Sequence, residues 1–180
     1  MSRIGNKPIE ADASLNIEIS NDKVTISSGS KSLEIEVLDK VTVEKDGATI
    51  LVKRKDDSKK AREQQGLLRS LISNAVQGLV KPFEKTLVLK GIGFKVMKKG
   101  SSNLEFSLGY SHVVPFEIVS DVEIDVQGQD KLLLKSFNKQ SLGEACAKII
   151  GLKRRDNYKG KGIYFDDEVI KKKPGKSVSK

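Results

Sequence analysis

Apolar residues alternate with polar ones through the first third of this chain, and then the spacing changes. Leu15, Ile17 and Ile19 alternate, as do Val24 with Ile26, Leu33 with Ile35 and Val37, Val41 with Val43, and Ile50 with Val52. A period of two puts one face of each short segment inside and the other in water, which is the pattern of antiparallel strands. Asp46-Gly47, between Val43 and Ile50, has the chemistry of a tight hairpin turn. From Lys59 onward the apolar residues step by three and four. Leu68, Leu71, Ile72, Ala75, Val76 and Leu79 predict one stripe on a helix. Gly78 and Pro82 are its stop signals.

After Pro82 the same order returns. Leu87 with Leu89, Phe94 with Val96, and Leu104 with Phe106 and Leu108 alternate. So do Val114, Phe116 and Ile118, then Val122, Ile124 and Val126, then Leu132 and Leu134. Gly128 falls between the last two strands, where Gly47 falls in the first half. A second stripe follows at Leu142, Ala145, Cys146, Ile149 and Ile150, ending near Gly151. Strands, hairpin and helix, written twice at a period of roughly 75–80 residues, predict an internal duplication. The expected fold class is α+β: two small duplicated domains, each an antiparallel sheet packed with one main helix. The expected boundaries are 1–81, 82–152 and a basic extension at 153–180.

Charge separates the extension from the rest. The chain of 180 residues carries 33 Lys and Arg against 24 Asp and Glu, a net charge of +9. Residues 153–180 hold 10 of the basic groups and only 4 of the acidic ones. A basic segment on near-neutral globular units points to a polyanion, either nucleic acid or an anionic membrane. A peripheral membrane protein needs a basic amphipathic helix, and the stretch from Lys171 onward contains Pro174 and Gly175 and lacks large apolar residues beyond Val178. The opening has no apolar run like a signal peptide's, and no stretch reaches the ~18 apolar residues of a spanning helix. These features predict a cytoplasmic protein.

Residues for catalysis are scarce. His112 is the one histidine, so a triad or a zinc site lacks its partners. Cys146 lies on the apolar stripe of the second helix, the place of a packing residue. Asp166, Asp167 and Glu168 lie near Lys171, Lys172 and Lys173, as expected of a solvated charge cluster. Gly91-Ile92-Gly93 and Gly160-Lys161-Gly162 lack the spacing of a nucleotide-binding glycine motif. No enzyme, no cofactor and no small-molecule substrate is expected.

The informative segment runs Lys153-Arg154-Arg155-Asp156-Asn157-Tyr158-Lys159-Gly160-Lys161-Gly162. Lys and Arg offer charge to phosphates, and Arg can grip them bidentately. Gly160 and Gly162 remove side chains, so the backbone can approach a nucleic-acid groove and donate N–H groups. Tyr158 can stack on an unpaired base. A second glycine-punctuated stretch, Leu108-Gly109-Tyr110-Ser111-His112, offers an aromatic ring, a hydroxyl and an imidazole between two strands. Lys171, Lys172, Lys173 and Lys176 continue the positive run toward the carboxyl end.

Tyr158-Lys159-Gly160-Lys161-Gly162-Ile163 resembles the signature of ribosomal protein L-six, the sixth protein of the large subunit, in its bacterial form. The likeness spans nearly the whole chain. Met1-Ser2-Arg3-Ile4-Gly5-Asn6-Lys7-Pro8-Ile9 is similar to that family's amino terminus, and Arg69-Ser70-Leu71-Ile72-Ser73-Asn74 to its first helix. Gly91-Ile92-Gly93-Phe94 resembles its Gly-Val-Gly-Tyr strand entry, Leu108-Gly109-Tyr110-Ser111-His112 matches a family motif, and Asn138-Lys139-Gln140 resembles the turn into its second helix. The resemblance implies a structural protein of two duplicated domains that binds large-subunit ribosomal RNA near where translation factors dock, among neighbouring ribosomal proteins. It implies contacts at Tyr158, Lys159, Gly160, Lys161 and Gly162, with Ser111, His112, Asn138, Lys139 and Gln140 beside them. A free RNA-binding regulator or chaperone would use the same basic tail. Three positions depart from the family pattern. Asn157 stands where a proline is usual, Tyr164 where an arginine often follows the isoleucine, and Gly66-Leu67-Leu68 where Gly-Thr precedes the arginine of the first helix.

Overall fold

The computed structural model describes residues 4–12, 14–20, 22–100, 103–118, 120–173 and 175. The chain divides into two compact units, Met1–Pro82 with Phe137–Lys139, and Phe83–Ser136 with Gln140–Lys180.

In the first unit the alternating segments form β1 (Ile9–Glu10), β2 (Asn16–Ile19), β3 (Lys23–Ser28), β4 (Lys31–Glu36), β5 (Val41–Asp46) and β6 (Thr49–Arg54). They make two antiparallel sheets, ordered β1-β6-β5 and β2-β3-β4. Gly47 turns the β5–β6 hairpin at φ +58°, a conformation that costs glycine nothing. The helix α1 (Lys59–Val80) closes the core, in which Ile26, Ile50, Leu68 and Ile72 are fully buried. Its first turn is capped by Ser58, whose Oγ accepts from the Ala61 N–H at 3.2 Å. The helix runs through Gly78 and stops at Lys81, which is extended (φ −137°, ψ 115°). Pro82 is the reason, because a proline disfavours helical backbone at the residue before it.

The buried stripe of α1 differs from the apolar one. Leu71 is 38% exposed, whereas Gln65 is only 3% exposed. At about 100° per residue, Gln65 lies inside the arc of Ala61, Leu68, Ile72 and Val76, and Leu71 lies about 60° outside Leu68 on the other side. Burying an amide requires partners for it. The Gln65 Nε2 donates to the Val52 carbonyl at 2.8 Å and to Asn6 Oδ1 at 3.1 Å, and its Oε1 accepts from Arg54 Nη1 at 3.1 Å. Gly5 packs so closely that a Cβ there would come within 2.8 Å of that Oε1.

The second unit repeats the topology. Its strands are β7 (Phe83–Lys90), β8 (Lys95–Lys99), β9 (Asn103–Ser107), β10 (Val114–Glu117), β11 (Glu123–Gln127) and β12 (Lys131–Ser136), followed by α2 (Lys139–Leu152). The order β7-β12-β11 reproduces β1-β6-β5, and the meander β8-β9-β10 reproduces β2-β3-β4. Leu142, Ala145, Cys146 and Ile149 of α2 pack into a core with Leu87, Leu104, Phe106, Leu132 and Leu134. Phe106 meets Phe116 edge to face, with ring centroids 6.2 Å apart.

One strand has no counterpart in the first unit among the described residues. β13 (Gly162–Phe165) pairs antiparallel with the free side of β7, Ile163 opposite Leu89 and Tyr164 opposite Val88. Within the basic segment after α2, Gly162–Phe165 therefore join the second sheet. Ile163 is fully buried and Tyr164 is 5% exposed. The chain then folds back: Asp166 N–H donates to the Thr86 carbonyl and Lys173 N–H to the Asn157 carbonyl, both at 3.0 Å.

Replacing Gln65 with Leu leaves the Val52 carbonyl and one Arg54 donor without their partner, at a cost of about 1–3 kcal/mol. Leu71→Gln, on an exposed position, is expected to stay within about 0.5 kcal/mol of the parent. Urea titration of the full chain carrying each substitution measures the contrast.

Candidate nucleic-acid interface

The loop between α2 and β13 is built from its two ends inward. Ile163 N–H donates to the Lys153 carbonyl at 2.9 Å, and Arg154 bridges Ile163 in a parallel sense. Asp156 N–H donates to the Lys161 carbonyl at 2.8 Å, and Gly160 N–H to the Asp156 carbonyl at 2.9 Å. The result is a compact loop with adjacent ends, of the kind that fixes surface side chains. Its interior turn is held by the Asp156 carboxylate, which accepts from the N–H groups of Tyr158 at 3.0 Å and Lys159 at 3.2 Å. The same two bonds hold the Asp156 carboxyl below the usual carboxylate range. The loop presents Tyr158, 63% exposed, together with exposed Arg154, Lys159 and Lys161.

Its two glycines differ in role. Gly160 sits at φ +71°, where a side chain is strained. Gly162, at φ +141°, is packed against the chain itself: a Cβ there would lie 2.5 Å from Arg155 Cα and 2.7 Å from its N. The room freed at Gly162 is filled by the Arg154–Arg155 backbone.

The turn between β9 and β10 adds to this loop. Gly109 (φ +72°) turns the chain, and residues 109–113 are exposed. The Tyr110 hydroxyl donates to the Leu152 carbonyl at 3.1 Å, and Lys153 Nζ lies 4.2 Å from the centre of its ring. The His112 imidazole stacks on Tyr110 at 6.0 Å and 17°. Ser111 and His112 are thus carried next to Lys153. Tyr110, the aromatic ring that this stretch offers in sequence but not one of the contacts the resemblance implies, is what ties the turn to the loop.

Acidic groups near the loop are engaged internally. Asp166 pairs with Lys131 and Asp167 with Lys85, both at 3.8 Å, and Glu168 pairs with Arg155. The acidic run thus consists of three partnered carboxylates. Among the described residues no group of His, Cys, Asp and Glu is placed to hold a metal ion. Burial pushes the Cys146 thiol up to about 11, which suits packing and not nucleophilic attack. Asn138 precedes α2 and Lys139 and Gln140 begin it, while the loop leaves the other end of this 14-residue helix, which at ~1.5 Å per residue is about 20 Å long. They are not gathered with the loop; Gln140 Nε2 donates to Glu144 Oε1 at 3.0 Å along the helix. Lys171, Lys172 and Lys173 are exposed on the returning segment, and Lys176 lies outside the described residues.

The chain is 39% identical over 177 residues to large ribosomal subunit protein uL6 of Tropheryma whipplei, covering 98% of this chain and 99% of that one. It is 39% identical over 180 residues to that of Geobacter sulfurreducens and 36% to that of Crocosphaera subtropica, each at full coverage of both chains. The chain belongs to the ribosomal protein L6 family. The model of that family, "Ribosomal protein L6", matches residues 90–166, which contain both exposed turns and β13. Proteins of the L6 family are structural and not enzymatic, consistent with the single exposed histidine and the buried thiol.

Gly162→Ala forces a Cβ against backbone that cannot turn aside, and is expected to cost about 1–3 kcal/mol of stability. A melting temperature equal to the parent's would refute this role. Asp156 titrates with a folded pKa below its ordinary 3.8. The order it gives the loop is therefore present above pH 3.8 and lost as pH falls through the lower, folded value. Amide resonances of Tyr158 and Lys159 are expected to move together in that acid range, and Asp156→Asn is expected to abolish the transition.

Proposed function

We propose that this chain is a structural constituent of the large ribosomal subunit. It binds large-subunit ribosomal RNA and rigidifies it near the region where translation factors dock, mainly through the second unit. The reading places the protein in the cytoplasm, on the ribosome, among neighbouring large-subunit proteins. Among the described residues no helix is long and apolar enough to cross a membrane. One observation carries the reading. The loop 153–162 is closed at both ends, its single carboxylate is used by its own backbone, and it exposes a tyrosine, an asparagine and the cations Arg154, Lys159 and Lys161. A pre-formed positive loop with an exposed ring suits an RNA backbone with an unpaired base beside it. The proposed contacts are Lys153, Arg154, Arg155, Tyr158, Lys159, Gly160 and Lys161, with Ser111 and His112 on the adjoining turn and Lys171, Lys172 and Lys173 on the returning segment. Relatives that cover this chain end to end carry the name large ribosomal subunit protein uL6.

Lys159→Ala and Lys161→Ala are each expected to weaken binding to large-subunit RNA by about 1–3 kcal/mol. Each is also expected to lower the salt slope by about 1, with stability unchanged. In cells the protein is expected to sediment with large subunits in high salt. Release into the free pool would favour an RNA-binding regulator acting off the ribosome.

A further inference from the structure

The second unit holds a cavity of about 530 Å³ whose walls come from three separate segments: the turn after β7, the loop 159–161, and the returning chain at Ile170 and Lys172. Its floor is Val88 and Tyr164 of the sheet. Its rim carries Lys90, Lys159, Lys161 and Lys172. Two carboxylates line it as well, but Asp166 is paired with Lys131 and Glu168 with Arg155. Among the described residues none of the four rim lysines forms an ion pair, so the cavity mouth keeps its positive charge. Lys90 Nζ rests 5.8 Å from the centre of the Tyr164 ring.

Beside these cations stands an anomaly, an isoleucine with 90% of its surface in water. Ile92 occupies the tip of the turn Gly91-Ile92-Gly93, and the turn is closed by a backbone hydrogen bond. Phe94 N–H donates to the Gly91 carbonyl at 3.2 Å, and Gly93 sits at φ +75°. A Cβ on Gly91 would lie 2.7 Å from the Phe94 ring, and one on Gly109 3.4 Å from the same ring. Phe94 thus braces both exposed turns from beneath. A large aliphatic side chain held in solvent by a fixed turn, against a wall of unpaired lysines, is a surface prepared for a ligand that is apolar on one side and anionic on the other.

We propose that this cavity seats one ribonucleotide of the bound RNA, its phosphate among Lys90, Lys159, Lys161 and Lys172 and its sugar or base against Ile92. The proposal rests on the RNA-binding reading and adds a defined subsite to it. Its volume falls in the range of small-molecule pockets, which suits a single nucleotide. An acidic peptide would also satisfy the lysines. However, charges converging from three segments on one concavity fit a compact multi-oxygen anion better than carboxylates strung along a chain.

The test is filter binding of the full chain to large-subunit ribosomal RNA between about 50 and 200 mM salt. Ile92→Ser is expected to weaken binding roughly tenfold at every salt concentration, because only apolar contact is lost. Its salt slope is expected to match the parent's. Lys90→Gln is expected to weaken binding and lower the slope by about one phosphate's worth. Met97→Ser, at a position 53% exposed on β8 and outside the cavity, is the control expected to change neither. All three are expected to keep the parental melting temperature. If Lys159→Ala and Lys161→Ala weaken binding while Ile92→Ser behaves like Met97→Ser, the interface stands and the subsite falls. If none of the five variants changes binding, both fall. Competition by polyglutamate as effective as an RNA oligonucleotide of equal charge would assign the cavity to acidic peptide and overturn the nucleotide.

Discussion

β7 is hydrogen-bonded along both of its sides, to β12 from Phe83 to Val88 and to β13 from Leu87 to Lys90. The second pairing fixes the far end of the loop that follows α2. It sets Ile163 beside Leu89, and from there the Ile163 N–H reaches the Lys153 carbonyl. Burial of Ile163 and Tyr164, about 1.5–3 kcal/mol each, holds that register. Without it, residues 154–161 would be a basic chain tethered at one end, with no fixed spacing between Tyr158, Lys159 and Lys161. The cavity beneath Ile92 depends on it as well, since its floor is one residue from β7 and one from β13.

Charge at this face is organised by subtraction. The segment 153–173 carries four carboxylates, and each has a partner inside the protein: backbone N–H groups for Asp156, Lys131 for Asp166, Lys85 for Asp167 and Arg155 for Glu168. The exposed pairs contribute little stability in water. Their effect is on the field, because they leave the lysines of the loop and of the cavity rim uncompensated. A modest net charge becomes a local one.

Most strands were legible because each has one wet face, which prints a period of two into the sequence. β13 was not, because both of its faces are covered. Ile163 lies on the core and Tyr164, under Lys90, is only 5% exposed, so the strand reads as the unbroken run Ile163-Tyr164-Phe165 between Lys161-Gly162 and Asp166-Asp167-Glu168, which periodicity cannot assign. Gln65 was invisible for a different reason: apolar spacing cannot register a buried amide whose partners, Asn6 and Val52, lie far off in sequence. The basic loop was legible from composition. Its tie to Tyr110, and the close packing of Gly162 on Arg155, depend on which backbone passes nearby, and no local pattern encodes that.

The two repeats solve one problem of exposed pairing groups in different ways. An outer strand offers unmet N–H and C=O groups to any other strand that drifts past. The first unit limits this with length, because β1 is only two residues. Its counterpart β7 has eight, and its cover is β13, made only after β8 through α2 have been synthesised. Such non-local closure is slow compared with hairpin formation. Through that interval Glu84, Lys85 and Lys90 keep the open flank of β7 charged. The nascent chain therefore carries its own deterrent to intermolecular strand pairing until Phe165 arrives.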